Sequence, residues 1–161
     1  MDISTQPYAL ASEEGQAVWF LGSLLIVKAT GEQTGGAFGL IDNLMPPGAG
    51  SPYHLHHKED EAFYLVEGEM TFFVGDERMR AESGAWVYGP RGVPHGFAVE
   101  GNAPARMLLL NTPAGFEEFP VEAGEPAKEL TLPPAGPPDL EKLATIAAKY
   151  DIEILGPLPG R

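Results

Sequence analysis

Short apolar stretches alternate with polar, glycine- or proline-bearing turns through most of this chain, a rhythm that predicts strands. Residues 18–21 and 24–29 are apolar and partly β-branched, with Gly22-Ser23 as a turn between them. Residues 30–36 (TGEQTGG) read as a loop. A third strand is expected over 37–45, ended by Pro46-Pro47-Gly48, which cannot continue a ladder. Further short strands are expected near 53–57, 62–67, 69–74, 77–81, 85–88, 95–100 and 106–111. Gly68, Gly75-Asp76, Ser83-Gly84 and residues 89–94 supply the turns between them. Such even spacing predicts an antiparallel sandwich or barrel, whose closure removes the edges that so many strands would expose.

Beyond Pro113 the pattern changes. Residues 114–123 can hold a helical turn, with Phe116 and Phe119 three apart. LPPAGPP, residues 132–138, is a stiff linker, and DLEKLATIAAKY, residues 139–150, predicts a helix. Leu140, Leu143, Ala144 and Ala147 form its expected apolar face, and Asp139 and Glu141 suit its positive end. Residues 151–155 read as a last short strand or an extended tail. The helix is expected to be an appendage that covers apolar barrel surface or a neighbouring subunit. The organisation that follows is all-β, one domain over 1–161: an arm and strands in 1–36, a barrel core in 37–112, and an extension in 113–161 with the helix at 139–150.

Composition narrows the function classes. The net charge of −13 would repel a phosphate backbone or an anionic membrane face, so neither nucleic acid nor membrane is an expected partner. The absence of cysteine excludes disulfides, thiolate-bound metal and a cysteine nucleophile. The opening MDISTQPYAL has neither the basic nor the apolar region of a signal peptide, so a cytoplasmic location is expected.

The candidate chemistry lies in GAGSPYHLHHKEDEAFYLVEG, residues 48–68. His54 and His56 stand two apart, so an extended strand sends both imidazoles to one face. Glu61 follows a short polar run. A third imidazole, His95, ends the glycine- and proline-rich GAWVYGPRGVPH of residues 84–95. Three imidazoles and one carboxylate suit a divalent transition ion, one of Ni, Co, Mn, Fe, Cu or Zn, and leave positions open for water or substrate. His57 points to the opposite face of the same strand. Glu59 and Asp60 could substitute for Glu61, but Glu61 keeps the spacing to Gly68, and the two are expected to be solvated turn charges. Parity from Glu61 and His95 puts Phe63, Leu65, Phe97 and Val99 on the same face, as a substrate pocket or as barrel filling. Arg78 and Arg80 read as a solvated strand face. Arg91 and Arg106 could meet an anionic substrate, though nothing in the sequence singles them out.

Written as spacings, the two segments are G-x5-H-x-H-x4-E-x6-G (Gly48, His54, His56, Glu61, Gly68) and G-x5-P-x-G-x2-H (Gly84, Pro90, Gly92, His95). In this the chain resembles the cupin superfamily. Val99 stands where that second motif usually ends in an Asn. The resemblance implies a small double-stranded β-helix, or jelly-roll, barrel with His54, His56, Glu61 and His95 as metal ligands in its mouth. It also implies pairing of barrels sheet to sheet, and an exterior patch of Tyr64 and Val66 would serve a homodimer. The flanks, TGEQTGGAFGL and AGFEEFPVEAGEPAKELTLP, are similar to single-domain cupins of the quercetinase (flavonol 2,4-dioxygenase) type. That likeness implies ring opening of a flavonol with O2 consumed and carbon monoxide released. In it Glu61 would act as general base, Phe63 and Phe97 would flank the planar rings, and the N-terminal arm or the post-barrel segment would act as a lid. One barrel hosts many reactions, so other readings stay open: another oxygenase, a decarboxylase, an isomerase, or a non-catalytic metal- or small-molecule-binding module.

Overall fold

The computed structural model describes residues 5–161. The first four residues of the expected arm, 1–4, lie outside the described residues. Strands β1 (Gln16–Phe20), β2 (Ser23–Ala29), β3 (Gly39–Met45), β5 (Asp60–Glu67), β8 (Trp86–Gly89), β10 (Ala105–Thr112) and β11 (Glu125–Pro126) form one sheet. Their order is β11-β1-β2-β3-β10-β5-β8. Strands β4 (Tyr53–His56), β6 (Glu69–Val74), β7 (Glu77–Ala81), β9 (His95–Glu100) and β12 (Ile152–Gly156) form the second, in the order β12-β4-β9-β6-β7. All the strand pairings are antiparallel, and the all-β jelly-roll class expected from the sequence is the class observed.

The core lies between the sheets. β10 (ARMLLLNT) shows the period of two directly: Ala105, Met107, Leu109 and Asn111 are buried, and the residues between them are half-exposed. Leu25, Ile41, Phe63 and Leu65 from the larger sheet meet Met70, Phe72, Phe97 and Val99 from the smaller one. Full burial of each such side chain stabilises the fold by about 1.5–3 kcal/mol. At the β5–β6 turn Gly68 adopts φ +98°, and a Cβ there would come within 2.8 Å of Ala105 Cα. Only glycine admits both the turn and the close approach.

Three local features differ from expectation, and a fourth settles an alternative that the sequence left open. The expected loop at 30–36 contains a single helical turn, α1 (Gly31–Thr34). It is held by a capping box in which Thr30 Oγ1 accepts from the Gln33 N–H and Gln33 Oε1 accepts from the Thr30 N–H. The C-terminal helix, α3 (Leu140–Lys149), buries Leu143, Ile146 and Ala147. Leu140 is 65% exposed and Ala144 is exposed, so the apolar face is turned from the one expected. Leu140 is the first helical residue after the linker and has no preceding turn to pack beside. Residues 152–156 form a true strand, β12, which pairs with β4. Glu59, expected as a solvated charge, is buried at 4% exposure.

Candidate metal centre

The strands bring four donors to one point. On β4 the period of two sends His54 and His56 inward together. β9 pairs with β4 so that His95 lies directly opposite His54. β5 carries Glu61 on the facing sheet, between Gly89 of β8 and Asn111 of β10. One ligand atom from each of His54, His56, Glu61 and His95 lies within 4.8 Å of all the others, and all four residues are buried. The rings of His56 and His95 are stacked with centroids 5.3 Å apart, and His54 sits edge-on to both.

Neighbouring atoms aim the rings. His54 Nδ1 lies 2.7 Å from the Pro52 carbonyl and His95 Nδ1 lies 3.2 Å from the Val93 carbonyl. A carbonyl only accepts, so each Nδ1 carries a proton and each Nε2 faces the centre of the cluster. His56 is held differently. Its Nδ1 faces the buried Glu59 carboxylate at 3.4 Å and its Nε2 faces Glu61 Oε2 at 3.2 Å. Neither contact is a well-formed hydrogen bond: both His56 nitrogens, Glu61 Oε1 and Glu59 Oε2 are buried without a partner. His95 Nε2 lies 2.7 Å from Glu61 Oε2.

The electrostatics follow from this crowding. Burial, then the neighbouring rings of His95 and His56, lower His54 to about 3. Burial opposes charge on His56 too, but Glu61 and Glu59 outweigh it and push that ring up to about 9. Burial raises Glu61, yet His56 and His95 beside it hold the carboxyl well below the usual carboxylate range. Three imidazole nitrogens and a carboxylate, several of them orphaned, fit a transition ion by donor type and by unmet bonding capacity.

A mainly apolar cavity of about 70 Å³ opens on the cluster, and His54 and Glu61 form part of its wall. Phe97 lines it, whereas Phe63 lies edge-on to the His95 ring at 6.0 Å, outside the cavity lining. Leu65 and Val99 lie in the core, not in the cavity wall. Parity reports the face of a strand but not the depth, and four residues along a strand is about 13 Å. The other walls come from Leu25, Asn43, Met45 and Leu109 on the sheet, and from the post-barrel chain. That chain contributes Phe116, Phe119 of α2 (Glu118–Ala123), Leu143 of α3, and Ile152 and Ile154 of β12. The Phe116 ring stands edge-on to His56 at 4.9 Å. Residues 5–16 contribute none of these lining side chains. Instead Lys28 Nζ donates to the Ala11, Ser12 and Glu14 carbonyls and ties the arm to β2. His57 is exposed beside Glu153, Asp60 pairs with Arg91, Arg80 with Glu69, and Arg106 with Asp42. Neither Arg91 nor Arg106 is in the cavity wall.

Three histidines and a glutamate gathered between two antiparallel sheets form a candidate metal centre, and comparison with known proteins bears on the fold that carries it. Residues 44–111 match the cupin domain family. Over 153 residues the chain is 27% identical to quercetin 2,3-dioxygenase of Bacillus subtilis, covering 92% of this chain and 44% of that protein. Over 89 residues it is 30% identical to the tetracenomycin polyketide synthase protein TcmJ of Streptomyces glaucescens, covering 55% of this chain and 58% of that one. The chain thus spans about half the length of the curated relatives it matches. Among solved structures, a predicted oxalate decarboxylase from Thermotoga maritima superposes with a TM-score of 0.60 at 18% identity, over 66% of this chain and 99% of that one. At that identity the likeness speaks for the fold alone. Residues 44–111 thus carry the likeness to the cupin domain family, and the chain as a whole resembles quercetinase.

Proposed function

We propose that this chain is a metal-dependent dioxygenase that opens the ring of an enolic aromatic substrate of the flavonol type with O2. The observation that carries the reading is the junction of a buried three-histidine, one-carboxylate cluster with an apolar, aromatic-walled cavity. The 27% identity to a quercetin 2,3-dioxygenase supports it. His54, His56, Glu61 and His95 would hold one divalent transition ion. Such an ion, when bound, lowers the pKa of a coordinated enol hydroxyl and engages O2.

The remaining steps belong to the chain. Phe97, Phe116 and Phe119 stack on or edge against a planar ring and keep bulk water from it. Glu61 takes the hydroxyl proton at Oε1, the oxygen with no partner in the protein. Its depressed pKa arises from His56 and His95, and burial acts in the opposite direction. A cavity of about 70 Å³ is smaller than the roughly 150 Å³ that accommodates benzene. A flavonol therefore enters only when the Phe116–Phe119 wall swings aside. The same observation favours a second reading, in which the substrate is a smaller enol or catechol.

The test is spectroscopic. Protein loaded in turn with Ni, Co, Mn and Fe is mixed anaerobically with quercetin, and O2 is then admitted. A red shift followed by bleaching is the expected result. A shift with no bleaching indicates a binding module, and no shift with any of the four metals rejects the flavonol.

A further inference from the structure

One polar side chain in the barrel has no task in the scheme above. The inward positions of β3 are Ile41, Asn43 and Met45, and its two apolar members are fully buried. Asn43 pairs with Leu25 on β2 and Met107 on β10, both buried and apolar. It is itself only 6% exposed, and its Oδ1 accepts no hydrogen bond from the protein. A buried amide oxygen is nearly always bonded, and a leucine of similar size would suit this surrounding better. Asn43 also lines the cavity that takes in His54 and Glu61, as does the buried hydroxyl of Ser23. The cavity is therefore polar at the metal cluster and polar again at Asn43, with Phe97, Phe116 and Leu109 among its apolar walls.

We infer that the Asn43 carboxamide is a second polar subsite, which takes a phenolic hydroxyl of an aromatic ligand whose acidic oxygen lies at the His54–Glu61 cluster. The inference rests on the flavonol reading and deepens it by naming the substrate class: polyhydroxylated flavonols over those bearing the enol hydroxyl alone. A carboxamide matches a phenol because Oδ1 accepts from O–H while the amide nitrogen donates to the phenol oxygen. The terminal atoms exchange by rotation about the last side-chain bond, so either order serves. A site of this kind discriminates strongly, because a ligand without the hydroxyl leaves the buried amide unpaired.

The experiment compares quercetin with 3-hydroxyflavone, which keeps the enol hydroxyl and lacks the others. Dissociation constants are measured anaerobically on protein loaded with Ni, Co, Mn or Fe. The wild type is expected to favour quercetin by about tenfold or more, the value of one well-placed hydrogen bond. Asn43→Leu is expected to lose that preference while its metal content and its constant for 3-hydroxyflavone stay within about twofold. Its metal-free melting temperature is expected at or above the wild-type value. Asn43→Ala carries the same expectation should the leucine variant not fold. Equal weakening of both flavonols, or an unchanged preference, overturns the subsite and leaves the dioxygenase reading standing. Wild-type protein that binds neither flavonol with any of the four metals rejects the flavonol reading, and the subsite with it.

Discussion

His56 differs from its two partners in what stands behind it. His54 and His95 each give Nδ1 to a carbonyl, and His56 faces a buried carboxylate, Glu59. A carboxylate behind a ligating imidazole fixes the ring and raises its basicity. Glu59→Gln is therefore expected to weaken metal affinity about 10- to 100-fold, read by competition against a chelator of known affinity. An unchanged affinity would make Glu59 a bystander. The pKa shifts give a second prediction. His56, pushed up to about 9, carries a proton at pH 7, whereas His54, lowered to about 3, and the depressed Glu61 carry none. An ion that takes His56 must displace that proton, so loading tightens about tenfold per pH unit above neutrality and levels off near the raised pKa. Calorimetric titration with nickel in buffers of different ionisation enthalpy should count about one proton released from these three groups. Affinity flat across that range would remove the proton from the account. Glu61→Gln should reduce turnover about 10²- to 10⁴-fold if Oε1 is the base, with most of the metal retained by three imidazoles. Equal loss of metal and turnover would reduce Glu61 to a ligand. The convergence of His54, His56, Glu61 and His95 was legible at this scale because strand parity and motif spacing both report on it. Glu59 and Asn43 were not. A charge in a turn and an amide in an apolar strand look ordinary until the fold shows what covers them.

Elements were legible where their pattern was local. Each strand of the middle of the chain lies within a residue or two of its expected place, since short apolar runs between glycine turns need no tertiary information. The C-terminal extension was read less fully, because its role is set by contacts far along the chain. β12 joins the sheet of β4, next to His54 and His56, and the post-barrel chain walls the cavity. The latch for this segment is Glu117, buried at 1% exposure. Its Oε1 accepts from the Gly31 N–H at 2.8 Å, and its Oε2 accepts from the Gly115 N–H at 2.7 Å and from Asn111 Nδ2 at 3.0 Å. Gly39 leaves room for it, since a Cβ there would collide with the carboxylate. No sequence period encodes one carboxylate clasping the α1 turn, β10 and the start of α2. Replacement by alanine removes three hydrogen bonds, one buried and two part-buried. The expected cost is about 3 kcal/mol, or about 6–12 °C in melting temperature for a chain of this size. Amide exchange should accelerate at Phe116 and Phe119 before it does in β6 or β9. Uniform acceleration across the barrel would show that Glu117 supports the whole fold rather than the cavity wall.

At the scale of the whole molecule the larger sheet ends in an open edge. β8 is its last strand, and Trp86 and Tyr88 on it are 61% and 52% exposed. Trp86 pairs directly with Tyr64 on β5, and Val66 continues the same face. Four large apolar side chains on one outer surface, beside an unpaired edge, form a surface that monomers seldom leave bare. The net charge of −13 works against self-association in general, so contact between copies has to be made where charge is sparse. This patch carries no acidic residue among its four members, and the Arg106–Asp42 pair on the neighbouring strands is already neutralised. A two-fold axis through the patch would set the aromatic rings of one copy against those of the other, as an isologous interface requires. The expected mass in solution is therefore twice the 17.2 kDa of the chain. Trp86→Lys with Tyr88→Lys should return it to the monomer while metal content is kept, since neither residue lines the cavity or belongs to the cluster. Light scattering behind size exclusion reads the outcome directly. A wild-type monomer at micromolar concentration, or a dimer that survives the double substitution, would place any interface elsewhere and leave the aromatic edge of β5 and β8 without a partner of this kind.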